Sequence, residues 1–347
     1  MKKLIILLGI ASTVLALKSP WNDESRQILV EKAINKSLPL LEHSSHAFLK
    51  NVVKLTNCHS CHNQGLGLIT FRMAKEKGFA ANDTILREGI DSTRIQWNTP
   101  DNIKTLAEND DPLVILITGN YDLWAFKENN VQPDKLTTMI ALNIMRRQTG
   151  DGSWFSTGQR PPMEYYSFSI TALAVKNIMS YVPSGWREER ERRVASAKEW
   201  MRKTVPLTNE ERSFQLLGLY WANDDTRFIQ QQGNKLLATQ RADGGWSQLD
   251  SLNTDAYATG QALYALNKTG CLSTNDPAYQ RGVDFLLRTQ EQDGSWHVKT
   301  RSYPFVPFVD SEFPHQADQF ISAAGTNWAT IALLLTVEKK ASLALVE

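Results

Sequence analysis

The sequence predicts an all-α protein built from repeated pairs of helices. A seven-residue pattern, Gln-x-x-Asp-Gly-x-Trp, occurs three times, at 148–154, 240–246 and 290–296. Each copy lies between stretches whose apolar residues recur at helical spacing. No stretch shows the sustained apolar and polar alternation that indicates a sheet. Repetition of this kind is typical of architectures in which each helix pair buries its apolar face against the next pair.

Helix-start residues divide the chain into six pairs. Asp134, Asp225 and Asp276 have the side chains preferred at N-caps, and Pro277 suits the first position of a helix. The predicted outer helices are 38–56, 82–96, 134–148, 187–204, 225–240 and 277–290. The predicted inner helices are 66–78, 113–127, 164–180, 211–222, 255–267 and 318–335.

The repeated segments have the composition of tight turns between helices. Gly adopts positive φ at little cost, and Asp can hydrogen-bond to the nearby backbone. We expect the Gln amide to bridge backbone groups of the turn and the Trp indole to fill the gap between helices. The three segments resemble the QW-type turns of the squalene-cyclase and prenyltransferase repeat superfamily. The resemblance covers the chain from about residue 134 and implies an α/α toroid of about six pairs, with an open α-solenoid as the alternative.

A short cysteine motif precedes these repeats. Cys58-His59-Ser60-Cys61-His62 has the C-x-x-C-H spacing of c-type haem attachment. The Cys58 and Cys61 thiols would form thioethers with the haem vinyl groups, and His62 would be the proximal iron ligand. The alternatives are a structural zinc site, a redox thiol pair and a plain disulfide. The zinc site lacks a second ligand cluster and the disulfide leaves His62 unexplained, so the sequence predicts one covalently bound haem c. The remaining Cys271 is expected to be a buried apolar residue.

The amino end predicts export. Lys2 and Lys3 precede an apolar run from Leu4 to Leu15, and cleavage after Ala16 would remove residues 1–16 as a signal peptide. A membrane anchor is the alternative, but the run is shorter than the roughly 20 residues that span a bilayer. We therefore expect a periplasmic or extracellular protein whose mature chain, 17–347, is a single toroid domain without a membrane span.

The haem motif is predicted to occupy the first inter-helix turn, since it follows an outer helix at the spacing of the later turns. In a closed ring, repeat six is the neighbour of repeat one. Repeat six carries the longest irregular stretch, 297–319, which is rich in Phe and Pro. We expect this loop to cover one face of the haem, with His315, or else His297, as a possible sixth iron ligand. Met73, His43 and His46 are interpreted as core or surface residues.

The combination of a C-x-x-C-H-N-Q segment with these repeats is similar to a group of uncharacterised exported bacterial proteins, a resemblance that implies no activity. The net charge of +1 and pI of about 7.7 argue against nucleic-acid binding. Substrate-protonating cyclases of the superfamily use a D-x-D-D motif, which this chain lacks. The nearest similar segment contains Asp255, a weak catalytic candidate whose alternative role is an N-cap. No zinc site like that of prenyltransferases is indicated, because no Cys lies beside Asp255.

The sequence thus favours an exported c-type haem protein that transfers electrons to a partner protein or senses redox state. One alternative is a haem-dependent oxidoreductase acting on a small apolar ligand in the toroid cavity. The residues expected to line that cavity are Tyr165, Tyr166, Asp255, Tyr257 and Trp328. Another alternative is a terpenoid-cyclase-like or non-catalytic binding protein in which the haem is structural. The two haem alternatives differ in whether the iron keeps an open coordination position.

Overall fold

A computed structural model describes residues 21–53, 61–108, 114–155, 158, 160–303 and 310–339. The predicted signal peptide, 1–16, lies outside the described residues, as do Cys58 and the aromatic segment 304–309 of the long loop. Of the haem motif, the structure describes Cys61 and the backbone of His62.

The described residues form helices connected by turns and loops. In chain order these are α1 (Asp23–Phe48), α2 (Leu66–Glu76), α3 (Asp83–Trp97), α4 (Pro100–Glu108), α5 (Asn120–Glu128), α6 (Lys135–Arg146), α7 (Ser167–Tyr181), α8 (Arg187–Lys203), α9 (Asn209–Trp221), α10 (Thr226–Leu237), α11 (Ala256–Lys268), α12 (Pro277–Thr289) and α13 (Gln319–Thr336). π-Helical turns are Leu49–Val53, Cys61–Gly65 and Val114–Gly119, and 3₁₀ turns are Ser184–Trp186 and Gln316–Asp318. Among these residues the only β pairing is an isolated bridge between Trp246 and Asp255.

The helices form a closed double ring. The inner helices α2, α5, α7, α9, α11 and α13 each contact the next, and α13 contacts α2. The outer helices are α1, α3, α6, α8, α10 and α12, with α4 as an additional outer segment. The prediction of an all-α, α/α toroid is confirmed, and the open solenoid is wrong because the last pair packs against the first.

Polar side chains join the two ends of the ring. Thr70 of α2 donates a hydrogen bond from Oγ1 to Asn327 Oδ1 of α13 at 2.7 Å. On the outer ring, Arg26 Nε of α1 donates to Asp284 Oδ1 of α12 at 2.9 Å. Both side chains of this ion pair are largely buried, so the pair contributes only if both partners remain in place.

In each of the three repeated turns, the glutamine side chain links the outer helix before the turn to the next outer helix of the ring. Gln148, Gln240 and Gln290 each donate from Nε2 both to a carbonyl of their own turn and to one of the following outer helix. For Gln290 the second acceptor is Ala33 of α1, at 2.9 Å. The same side-chain bridge therefore connects repeats three to four and five to six, and closes the ring between repeats six and one.

The turn tryptophans also have equivalent contacts. Trp154, Trp246 and Trp296 are fully buried and donate from Nε1 to a carbonyl near the end of the preceding outer helix. Each turn glycine has a φ between +94° and +96°, which favours glycine. A Cβ at Gly294 would lie 2.5 Å from the Lys36 carbonyl oxygen of α1, so this glycine also permits close approach of the next helix.

The predicted helix boundaries agree with the structure except in the first two repeats. Helix α1 begins at Asp23 instead of 38, because Pro39 lies inside a continuous helix and does not start a new one. Asn22 caps its amino end by accepting a hydrogen bond from the Ser25 N–H at 2.8 Å. Helix α4 was not predicted. No described helix combines the length and the apolar character needed to cross a bilayer.

Substitution of Gly260 by Ala is expected to lower the free energy of unfolding by about 1–3 kcal/mol. A Cβ at this position of α11 would lie 2.4–2.6 Å from backbone atoms of Trp328 and Ala329, so α13 would have to move outward. Gly185→Ala is the control, since a Cβ there meets no atom within 4 Å. Urea unfolding would measure both; equal stabilities of the two variants would contradict close α11–α13 packing.

Candidate functional site

Cys61 and His62, the part of the haem motif that the structure describes, lie in the turn that leads into the inner helix α2. Cys61 is 3% exposed and starts the π-helical turn Cys61–Gly65, which continues directly into α2. This turn contacts α1, α5 and α13, so it lies among the inner helices. The structure thus refines the predicted position: Cys61 lies where the chain enters the inner ring after the α1–α2 connection.

Two amide side chains fix this turn to the end of α1. Asn63 donates from Nδ2 to Ser44 Oγ at 2.7 Å, and Gln64 donates from Nε2 to the Ser45 carbonyl oxygen at 3.1 Å. On the opposite side, a Cβ at Gly65 would lie 2.9 Å from Tyr121 Cβ. The backbone after Cys61 is therefore held between α1 and α5, which limits the positions that the Cys61 sulfur can take.

A buried carboxyl group lies inside the ring near this turn. Glu210 of α9 is 2% exposed, and its Oε2 accepts hydrogen bonds from Tyr257 Oη at 2.9 Å and Gln261 Nε2 at 2.7 Å. Its Oε1 has no hydrogen-bond partner among the described residues. Burial raises the pKa of Glu210 to about 7, although the hydrogen bonds from Gln261 and Tyr257 act in the opposite direction.

Tyr121 connects this carboxyl group with Cys61. The phenol is 1% exposed, and its Oη has no hydrogen-bond partner among the described residues. Burial raises the pKa of Tyr121, and the negative charge of Glu210 raises it further. Tyr121 therefore lies within electrostatic range of Glu210, and its Cβ lies beside Gly65 of the turn that begins at Cys61. We call Cys61, Tyr121, Glu210, Tyr257 and Gln261 the central site.

Asp255, the carboxylate singled out in the sequence, lies at the start of α11. It caps this helix by accepting a hydrogen bond from the Ala258 N–H at 2.9 Å, and Gln248 Nε2 donates to its other oxygen at 3.1 Å. Burial raises the pKa of Asp255 to about 6, whereas these hydrogen bonds oppose the rise. The N-cap role is thus present, and the catalytic role remains a prediction.

Aromatic side chains from four inner helices, α5, α9, α11 and α13, pack together inside the ring. Trp124, Tyr264 and Trp328 are almost fully buried, and their ring centroids lie 5.4–6.1 Å apart. Tyr121 and Trp221 extend this group at 6.1 and 5.9 Å from Trp124. Such tilted and edge-on contacts are favourable for aromatic pairs. Of the predicted cavity residues, Tyr257 and Trp328 are buried, whereas Tyr165 is 53% exposed.

The long loop of repeat six crosses the ring. Arg301 donates from Nε to Gln248 Oε1 at 2.9 Å and approaches Tyr166 Oη at 3.4 Å, while Ser302 Oγ donates to the Pro161 carbonyl oxygen at 3.3 Å. These partners belong to repeats five and three. After the segment outside the described residues, Glu312 pairs with His43 of α1 at 3.0 Å. We call the described residues of 297–318 the mouth loop.

His297 and His315 lie together at the start and end of the mouth loop. Their rings stack with centroids 4.5 Å apart and an interplanar angle of 14°. His297 Nε2 is 2.7 Å from Asp318 Oδ2, and His315 Nε2 is 2.8 Å from Ser295 Oγ. Sixth ligation of the iron by His315 remains a prediction.

Other residues have the expected kinds of environment. His46 is exposed and contacts Glu88 at 2.8 Å, consistent with the surface role expected for His43 and His46. Met73 is partly buried against the apolar core. Cys271 also packs against this core, but it is partly exposed and thus less buried than expected. None of these residues lies in the central site.

Glu210 is the functional candidate that the sequence analysis missed. It follows Thr208, which forms a capping box with Glu211 at the start of α9. Acidic residues in a first helical turn are common because they stabilise the helix dipole. The sequence signal was therefore ambiguous, and burial of Glu210 depends on Tyr257 and Gln261, which lie one repeat later in the chain.

Replacement of Glu210 by Gln is expected to remove part of the loss of stability between about pH 4.5 and 7. The folded protein keeps this proton up to about pH 7, whereas an unfolded chain releases it near 4.5. Stability therefore falls as the pH rises through this interval, by on the order of 2–3 kcal/mol from this group. Urea unfolding at several pH values would measure the effect, with Glu188→Gln as an exposed control. Identical pH profiles for wild type and Glu210→Gln would contradict it.

Comparison with known proteins supports the ring architecture. The family model of the squalene-hopene cyclase C-terminal domain matches residues 203–345. The structure is also similar to a variant of the type II terpene cyclase MstE from Scytonema in complex with merosterolic acid A, its product. That match has a TM-score of 0.56 and 12% identity, and covers 91% of this chain and 99% of the other.

A second variant of the same enzyme was solved with its substrate, geranylgeranyl dihydroxybenzoate. It matches with a TM-score of 0.55 and 12% identity over 91% of this chain and 99% of the other. Identity at this level shows a shared fold alone. The protein therefore has the α/α toroid fold of type II terpene cyclases, and its last repeats are similar to the C-terminal domain of squalene-hopene cyclases.

Proposed function

We propose that this protein is an exported c-type haem protein that transfers electrons or senses redox state. One haem would be attached through Cys58 and Cys61, with His62 as the proximal iron ligand. The observation that carries this proposal is the position of Cys61, which is buried where the chain enters the inner ring, in a turn held to α1 by the Asn63 and Gln64 side chains. A structural cysteine could occupy a buried position as well, but it would not require the C-x-x-C-H spacing.

The residues present fit a haem at this place. Two thiols and an imidazole are the donor set of c-type attachment, and Asn63 and Gln64 fix the backbone of the turn that carries Cys61. Tyr121 Oη and Glu210 Oε1 are buried polar atoms without hydrogen bonds to described residues, and both are available to a polar group of a ligand. When bound, the haem supplies reversible one-electron exchange with a partner protein.

The aromatic interior favours electron transfer over conversion of a large apolar substrate. Trp124, Tyr264 and Trp328 are buried and pack against one another inside the inner ring. Moving such side chains aside would expose or displace several buried aromatic rings, each of which contributes strongly to the core. A bulky terpenoid that entered this part of the ring would have to displace these side chains.

Expression of the full chain in a bacterial host with haem-attachment machinery tests the haem. We expect a pyridine haemochrome spectrum of a thioether-linked haem and a mature mass that corresponds to residues 17–347 plus one haem. Cys58→Ala/Cys61→Ala should lose the covalent haem completely, whereas Cys271→Ala should retain it because Cys271 lies outside the motif. His62→Ala should alter the spin state of the iron. Wild-type protein without covalent haem would overturn the proposal.

The buried carboxyl group of Glu210 favours a second candidate function, a terpenoid-cyclase-like or haem-dependent conversion of an apolar ligand. A buried acid with a pKa of about 7 can hold a proton at neutral pH and donate it to a bound ligand. Tyr257 and Gln261 would hold the carboxyl group in position through their hydrogen bonds to Oε2. The free Oε1 is then the atom that could carry and deliver the proton.

Incubation with geranylgeranyl dihydroxybenzoate, followed by mass spectrometry, tests this second function. If it holds, wild type forms a cyclised isomer and Glu210→Gln lowers the rate by about 10²–10⁴, the usual contribution of a general acid. Glu188→Gln should leave the rate unchanged, because this carboxylate is exposed on α8. The electron-transfer proposal expects no product from any of the three proteins.

A further inference from the structure

The third repeated turn carries two ligand-type side chains that the other two turns lack. The residue after the turn glutamine is Glu291, and the residue after the turn tryptophan is His297. The equivalent residues are Thr149 and Phe155 in the first turn, and Arg241 and Ser247 in the second. Since all three turns have the same backbone hydrogen bonds and buried tryptophan, this difference is not needed to form the turn.

The turn holds these two side chains on a rigid frame. Glu291 donates its N–H to the Ser295 carbonyl oxygen at 2.9 Å, and its own carbonyl oxygen accepts from Gly294 N–H at 3.1 Å. The indole of Trp296 is buried directly before His297 and donates to Leu286 at 2.8 Å. Because the backbone that carries these two ligands is already fixed, the side chains lose little conformational entropy when they bind an ion.

His315 joins this pair from the far end of the mouth loop. A carboxylate oxygen of Glu291 and a ring nitrogen from each of His297 and His315 all lie within 4.8 Å of one another. His315 has a φ of +79°, a left-handed backbone conformation that is uncommon for a residue with a side chain. The loop therefore adopts a costly conformation at the residue whose ring lies against His297.

In each of the two imidazoles, one ring nitrogen is within hydrogen-bond distance of a protein oxygen atom. Nε2 of His297 contacts Asp318 Oδ2, and Nε2 of His315 contacts Ser295 Oγ, which in turn donates to Asp293 Oδ1 at 2.7 Å. Nδ1 of each ring is then the nitrogen left for another partner. Histidine ligands of metal ions are commonly oriented in this way, by a carboxylate or hydroxyl group on the second nitrogen.

We infer that Glu291, His297 and His315 bind a divalent transition-metal ion of the zinc class. Two imidazoles and one carboxylate, with water as the fourth ligand, match the usual tetrahedral coordination of zinc. Ligand atoms on such an ion are about 3.3 Å apart, and the ion lies in the plane of each imidazole that binds it. The rings of His297 and His315, which are nearly parallel, therefore have to turn relative to each other as they close around the ion.

The ion would fasten the mouth loop to the rim of the ring. Glu291 and His297 belong to the turn, whereas His315 lies after the crossing over repeats three and five. The inference does not depend on haem, because none of its ligands belongs to the haem motif. It assigns His315 to this ion, and His315 cannot then also be the sixth ligand of the haem iron.

Titration of the purified full chain with Zn²⁺, in competition with a chromophoric chelator, tests the site. We expect one bound equivalent in wild type and in the control His43→Ala, whose imidazole also pairs with a glutamate on the surface. His297→Ala/His315→Ala should lose this equivalent. Asp318→Asn should weaken binding by about 10–100-fold, the usual effect of removing the partner that orients a histidine ligand.

Optical spectra separate this site from the haem. Co²⁺ bound in place of Zn²⁺ should give absorption bands that disappear in His297→Ala/His315→Ala, and the iron ligand field of haem-loaded protein should be the same with and without Zn²⁺. The inference is overturned if wild type binds no stoichiometric Zn²⁺, or if the double variant binds it equally. A changed iron ligand field in His315→Ala, without Zn²⁺ binding in wild type, would assign His315 to the iron.

Discussion

The ring depends on a hydrogen-bonded bridge that a glutamine side chain makes in each of the three repeated turns. In each of the three repeated turns the amide satisfies a carbonyl of its own turn and another on the next outer helix. The turn glycine lets that helix approach to a distance that any Cβ would prevent. Because Gln290 makes this bridge to α1, the ring closes by the same chemistry that joins neighbouring repeats. Loss of one bridge would remove two hydrogen bonds, each of which typically contributes about 0.5–1.5 kcal/mol.

The closed ring creates an interior in which polar groups have strong effects. Glu210, Tyr121 and Tyr257 are removed from water by helices of different repeats, and burial is the main cause of their raised pKa values. The hydrogen bonds from Tyr257 and Gln261 reduce the cost of this burial without removing it. A buried carboxyl group that remains titratable near neutral pH is a feature of functional sites more often than of purely structural ones.

Local patterns predicted most of the fold. The Asp-Gly turns, the N-caps such as Asp134 and Asp276, and the helical spacing of apolar residues gave helix positions that agree with the structure from α2 onward, apart from α4. The start of α1 could not be predicted in this way, because a proline such as Pro39 indicates a helix start by local rules, and only packing in the ring shows that it lies within a helix.

The candidate sites could be predicted only in part, for a similar reason. The C-x-x-C-H spacing is local and therefore visible in the sequence, whereas Glu210 becomes important through its hydrogen bonds with Tyr257 and Gln261 of α11. The group formed by Glu291, His297 and His315 depends on a loop that returns to its starting turn. Contacts of this kind are set by tertiary structure, and single residues such as Glu210 then resemble ordinary helix-capping acids.

The ion pair between Arg26 and Asp284 joins residues 258 positions apart in the sequence. Contacts between such distant residues form late in folding, because a long loop must close before they are made. Helix α1 and the turn that begins at Cys61 pack against the last repeat, so they reach their final places only when the ring closes. The burial of Cys61 therefore depends on closure of the ring, since the turn that begins at Cys61 packs against the last inner helix.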